Sequence, residues 1–278
     1  MTSDLPVLWH FRFSHFSEKV RWALDHKGIQ HTRVDWPPGL QVGPAILRTG
    51  QRRLPIMCLD GEWIHDSTAI IAKLEGKRPL PHLYPEDPEL RQEALDWEDD
   101  LDTDLGPSTR ALILNATLHH PNSVMRELAW FKPPFFDLGI RMMTPGLRIA
   151  GAAARAFGRS TRSSHDSVEA VLEKIEARIE DHDYLVGGEF SVADLTAASL
   201  LSPIMEVPEF PYAPESGFPS SVRTLREQYA ASPAIRWAQR VYRRHRTNSE
   251  RTPPVESRRD ARPSQKPPPY SENSLDRE

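Results

Sequence analysis

Apolar and polar positions follow two rhythms along the chain, and the change falls near residue 80. Pro6 to Phe13 (PVLWHFRF) puts Val7, Trp9, Phe11 and Phe13 on one face, the period of two that a strand requires. Ser14 to Ser17 interrupt it. Val20, Ala23, Leu24 and Lys27 then recur at helical spacing, and Gly28 supplies a stop. His31 to Trp36 reads as a second short strand, so the first three elements predict a βαβ unit with parallel pairing and a right-handed crossover. A Pro/Gly-rich passage, Pro37 to Gly50, is weakly helical at Ala45 to Arg48. Leu54 to Leu59 is a compact apolar run, Asp60-Gly61 is a strong hairpin-turn dipeptide, and Glu62 to His65 returns as the partner strand. Ser67 to Glu75 carries Ala69, Ile70, Ala72 and Leu74 at helical spacing before Gly76. The order β-α-β-(α)-β-β-α predicts a small mixed sheet.

Lys77 to Pro88 (KRPLPHLYPEDP) is proline-rich and reads as a linker, after which strand signals stop. Glu89 to Leu105 is helical, with Leu90, Ala94, Trp97 and Leu101 in one stripe, and should end near Gly106-Pro107. Ser108 to His119 continues helically, Val168 to Ile179 is strongly amphipathic, and Ser232 to Tyr242 forms a last helix. Ser191-Val192-Ala193-Asp194 has the spacing of a capping box ahead of an apolar run. The fold class expected is α/β followed by all-α: a sheet-bearing domain at 1–80, a helical bundle at 88–246, and a tail at 247–278. The tail has almost no aliphatic residues and repeated Pro, Ser and mixed charge, too little to offset the entropy of ordering it, so it is expected to be disordered.

Composition narrows the chemistry. A single cysteine, Cys58, among 278 residues excludes an intramolecular disulfide framework, a CxxC redox pair and a cysteine-rich zinc module. A formal net charge of −4 argues against a dedicated nucleic-acid binder. No stretch has the length of a membrane span, and the first residues lack the features of a signal peptide, so a cytoplasmic protein with no integral membrane segment is expected. Cys58, in the middle of an apolar strand, reads as a small core residue. The run Glu98-Asp99-Asp100 with Asp102 and Asp104 lacks the glycine of a calcium loop and reads as a solvated helix face, so no metal is expected. Arg240, Arg243, Arg244 and Arg246 give the last helix a basic end that complements its dipole.

Three places carry candidate chemistry. Ser14 sits where a strand gives way to a helix. There it serves either as a plain helix cap or as a hydroxyl donor to a bound thiolate, helped by free N–H groups and the helix dipole. Pro55 opens an apparently buried strand. A cis Leu54-Pro55 bond would turn the Leu54 backbone outward to an extended ligand, and a trans proline at a strand start is the alternative. Asp66-Ser67 opens a helix, again either as a cap or as a pair that holds the carboxylate and ammonium of an amino acid.

Taken together, SHFSEKVRWAL, LPIMCLDGEWIHDSTAI and LVGGEFSVADLTAASLL resemble the corresponding motifs of the cytosolic glutathione transferases, in order and spacing. The resemblance implies a thioredoxin-like N-terminal domain and a helical C-terminal domain. It implies a serine-type enzyme in which Ser14 stabilises the thiolate of glutathione or another low-molecular-weight thiol as co-substrate. Leu54, with Pro55 cis, would pair with the cysteinyl part, Asp66 and Ser67 would hold the γ-glutamyl end, and Arg53 would reach the glycine carboxylate. The chemistry implied is attack on a small-molecule electrophile, or thiol-dependent isomerisation or reduction, in a detoxification-type role and in a homodimer. His15 replaces a common proline as a titratable neighbour of the thiol site or a solvated loop residue, Ser17 is a competing hydroxyl that should point into the helix, and Arg52 stands where glycine is usual. These departures leave open a non-catalytic protein of the same fold that binds a partner. The passage 122–158, apolar and basic, suits shaping the electrophile pocket, covering a dimer face or touching a membrane surface. Its internal prolines argue against a continuous interfacial helix and favour an elaborated pocket wall, and the PPPY segment at Pro267 to Tyr270 suits either a proline-recognising module or a plain tail.

Overall fold

The computed structural model describes residues 5–37, 39–118, 161–212 and 217–246, so the expectations for 122–158 and for the tail lie outside the described residues. Strands β1 (Val7–His10), β2 (Thr32–Asp35), β3 (Ile56–Leu59) and β4 (Glu62–His65) form one sheet in the order β2-β1-β3-β4. β1 and β2 are parallel, joined through α1 (His15–His26), while β1–β3 and β3–β4 are antiparallel. The β3–β4 turn has Asp60 at φ 52° and Gly61 at φ 84°, the two positive angles of a tight hairpin turn. With α2 (Val42–Thr49) and α3 (Ser67–Lys77) this is a thioredoxin-like layer.

β1 is shorter than its apolar alternation suggests. The carbonyls of Phe11 and Arg12 are taken by the Arg21 guanidinium, at 3.4 and 3.1 Å, rather than by a neighbouring strand. The core face of β1 is also Leu8 and His10, both fully buried. Trp9 points to the opposite face, with Trp36 and Trp63 rings 5.1 and 4.8 Å away.

The helical layer comprises α4 (Pro88–Asp100), a π-helical turn (Leu101–Leu105), α5 (Gly106–Leu118), α6 (Thr161–Ile179), α7 (Val192–Leu201), α8 (Ser220–Tyr229) and α9 (Pro233–His245). Gly106-Pro107 does not end the helix as expected. The wider turn lets Gly106 N–H bond to Leu101 O, and Pro107 has no N–H to place in the shifted ladder. Gly106 is needed there for space, because a Cβ would lie 2.3 Å from the Phe16 ring. α7 is buried on every side, and Asp194 anchors its start by accepting from Leu185 N–H (2.8 Å), Ser191 N–H (2.9 Å) and Ser191 Oγ–H (3.0 Å). Burial pushes the Asp194 carboxyl up to about 6 against those donors.

The two layers share one continuous core through α1 and α7. Lys27, the fully buried C-cap of α1, ties the linker down by donating to the carbonyls of Arg78, Pro79 and Pro81 at 2.9, 3.3 and 3.0 Å. The acidic run of α4 divides. Asp99, Asp100 and Asp104 are solvated as expected, but Glu98 and Asp102 turn inward to Lys19 Nζ at 2.8 and 2.6 Å. Among the described residues no helix is long and apolar enough to cross a membrane.

Candidate active site

The start of α1 lies at the meeting of sheet and helical layer. Ser14 is its N-cap, with extended backbone, and its Oγ accepts from Ser17 N–H at 3.2 Å. The capping bond uses an oxygen lone pair and leaves the hydroxyl proton without an acceptor among the described residues. The cap and donor roles are therefore compatible in one side chain. Ser17 is fully buried, and its Oγ accepts from Phe11 N–H at 3.4 Å, so it faces the loop behind the site. Arg21 braces the same loop from below, fully buried and ion-paired to Glu18 at 2.8 Å.

Ser14 opens onto a cavity of about 220 Å³ that Arg53 and Leu54 also line. Leu54–Pro55 is cis, and Leu54 sits outside the β3 ladder, which begins at Ile56. Asp66 and Ser67 do not line this cavity. They begin α3, where the Asp66 carboxylate accepts from Thr68 N–H (2.9 Å) and Ala69 N–H (3.3 Å), and Asp66 itself has φ 76°. A non-glycine residue in that region costs about 1–3 kcal/mol, a strain that concentrates at ligand sites. The start of α3 is locked to α1 through Lys19, whose ammonium also donates to Thr68 Oγ1 at 3.1 Å.

The cavity includes residues that the sequence did not single out. Phe11 and Trp36 form an apolar wall, and Gln41 and Arg110 complete the rim. Trp36 Nε1 and Gln41 Oε1 are buried with no hydrogen-bond partner among the described residues, a donor and an acceptor free to meet a ligand. Arg110 arrives from α5, more than fifty residues beyond the other lining residues, so no local pattern announces it. Its guanidinium lies 4.9 Å from the Phe16 ring centroid.

His15 is neither a solvated loop residue nor a protonated one. It is 4% exposed, and its ring Nε2 lies 3.0 Å from Gly106 O, so the site's loop is fastened to the helical layer. Burial, then the Arg110 charge, lower its pKa to about 3, against the opposing bond to Gly106. His10 and His31 are similarly lowered to about 4, chiefly by burial. The unfolded chain binds these protons near 6.5 and the folded chain does not, so stability is full above that pH and is lost as pH falls toward 4. Urea titrations from pH 7 to 4 are expected to show that loss, with a shallower acid limb in His15→Gln. An identical limb in the variant would remove His15 from the account.

Cys58 is half-buried in β3 and burial raises its thiol pKa, the opposite of a nucleophile's environment. Among the described residues no group of three or more His, Cys, Asp or Glu side chains is arranged for a metal ion. A second cavity, about 520 Å³, lies between α6 and α8, but its acidic wall serves the fold: Glu176 accepts from Ser232 Oγ at 2.6 Å at the start of α9.

Comparison with known proteins agrees with this layout. Residues 8–82 match the family model described as the glutathione S-transferase N-terminal domain, and residues 156–233 match that of the C-terminal domain. Maleylacetoacetate isomerase of Rattus norvegicus is 34% identical over 96 residues, 33% of this chain and 44% of that protein. The chain therefore matches less than half the length of that relative. Glutathione S-transferase TCHQD of Arabidopsis thaliana is 25% identical over 211 residues, 70% of this chain and 75% of that one. A solved glutathione S-transferase from Methylobacillus flagellatus, with glutathione bound, has the same fold at a TM-score of 0.53 and 19% identity, covering 85% of this chain and 93% of that one.

Proposed function

The chain belongs to the glutathione transferase superfamily, and from that premise we propose that it binds glutathione at the cavity beside Ser14 and activates its thiol for attack on a small electrophile. The observation that carries this reading is the Ser14 hydroxyl, held as an N-cap with its proton uncommitted at the rim of that cavity. The S–H proton passes to solvent, and the Ser14 O–H donates to the thiolate that remains. The positive end of α1 adds to that stabilisation. The thiolate then forms a C–S bond to the electrophile, and the leaving group departs with its electron pair or, in an isomerisation, the sulfur is expelled again.

The rest of glutathione is met by the same elements. Leu54 offers its backbone to the cysteinyl part, Asp66 and Ser67 receive the γ-glutamyl end, and Arg53 pairs with the glycine carboxylate. A homodimer in the cytoplasm, as in the resemblance, completes the proposal. Isothermal titration of the full chain with glutathione and with S-methylglutathione tests it, alongside cysteine and cysteinylglycine as shortened thiols. Binding of the two tripeptides but not of the shortened thiols is the expected result. No heat with any of them removes the thiol site and leaves the non-catalytic reading.

A further inference from the structure

The cavity beside Ser14 collects three cations, Arg52, Arg53 and Arg110, and among the described residues no carboxylate lines it. None of the three is ion-paired to a carboxylate among the described residues. Arg21 pairs with Glu18, Arg33 with Asp25 and Arg178 with Glu93, whereas Arg52, Arg53 and Arg110 share one concave wall. Like charges gathered without partners repel each other, and a concave wall of one sign concentrates anions of the other. The consequence shows at Arg110, whose guanidinium is held below its ordinary pKa, first by desolvation and then by the charge of Arg53.

Glutathione does not account for all of that charge. On the proposed function, every group that meets it belongs to the thioredoxin-like layer, and its glycine carboxylate is met by Arg53 with Arg52 beside it. Arg110 stands on the other side, at the first turns of α5. Its guanidinium rests on the Phe16 ring at 4.9 Å, and its charge is felt by His15, so it sits against the two residues next to Ser14 in α1. That is where the second substrate would meet the sulfur.

We propose that Arg110 is a specificity-determining residue that takes a carboxylate of the second substrate, so that the preferred electrophile is an organic anion rather than a neutral aromatic or alkyl compound. A planar guanidinium suits this task because it meets a carboxylate through two parallel N–H donors. It is not needed to hold the layers together, since His15 to Gly106 and Lys19 to Glu98 and Asp102 already do so.

The inference rests on the glutathione site, and its test separates the two. Two S-aryl conjugates of glutathione, differing only in a ring carboxylate or its primary amide, are titrated into the full chain. The wild type is expected to bind the carboxylate at least about tenfold more tightly than the amide, the worth of one charge-assisted contact. Arg110→Gln should bring that ratio, taken between the two conjugates in the same variant, to about one, and Arg110→Lys should keep part of the preference. Equal affinity of the wild type for both conjugates overturns the inference while leaving the glutathione site standing, and so does an unchanged ratio in a folded Arg110→Gln. If neither conjugate nor glutathione binds, the functional reading fails and the inference fails with it.

Discussion

Ser14→Gly is expected to keep the helix and lose the chemistry. The Ser14 oxygen caps α1 through Ser17 N–H, its side chain lines the cavity, and on the proposed function its O–H donates to the thiolate there. Alanine removes both and should cost about 1 kcal/mol of stability through the lost cap. Glycine at an N-cap costs only a few tenths of a kcal/mol, so Ser14→Gly removes the donor almost alone. A hydrogen bond to a charged acceptor contributes about 1.5–3 kcal/mol, equivalent to one to two units in the pKa of the bound thiol. At neutral pH, kcat/KM should therefore fall about 10–100-fold in both variants, and the deficit should shrink as pH is raised past the thiol's new pKa. The checks are the pH profile of turnover and the ultraviolet absorbance of bound thiolate. Wild-type thiolate absorbance at neutral pH in Ser14→Gly would show that the hydroxyl only caps.

The parts of this site that can be read from the chain are those whose cause is local. Asp60-Gly61 makes its hairpin because two successive residues accept positive φ, and Ser191 to Asp194 opens α7 because a carboxylate three residues on reaches back to the start of its own helix. The parts that escape depend on residues far apart in the chain. His15 finds the Gly106 carbonyl 91 residues away, and Lys19 finds Asp102 83 residues away. Glu98 and Asp102 look solvated in isolation because nothing near them in sequence is cationic; the cation arrives on α1. The π-helical turn has the same origin. Gly106 and Pro107 are the usual end of a helix, yet here Phe16 packs where a side chain would be, and the helix continues. Arg110 escapes for the same reason: its meaning depends on which face of α5 meets the cavity.

The largest expected loss of stability also has this long-range origin. In the sequence, Arg246 is one more cation at the end of the last helix, where it would favour the dipole slightly. Its side chain instead leaves α9 and enters the interface between the layers, 4% exposed, to meet Glu18 at 2.7 Å and Asp25 at 2.7 Å, both on α1. The chain of pairs continues: Glu18 to Arg21, Arg21 to His10 Nδ1 at 2.9 Å, and His10 Nε2 to Asp35 at 2.9 Å, with Arg33 on the far side of Asp25. Arg246→Leu leaves the fully buried Glu18 with one cation instead of two, and removing one member of a buried pair typically costs about 3–5 kcal/mol. For a chain of this size that corresponds to a fall of about 10 °C in Tm, measured by calorimetry on the full chain. Glu18→Gln in the Arg246→Leu background should recover part of the loss, because the unpaired charge is then gone. An Arg246→Leu melt that matches the wild type would mean that Arg21 and Arg33 already satisfy both carboxylates. Because Arg21 also holds the carbonyls of Phe11 and Arg12, the loop before Ser14 is fastened through the same network. The variant is therefore expected to weaken glutathione binding as well as the fold.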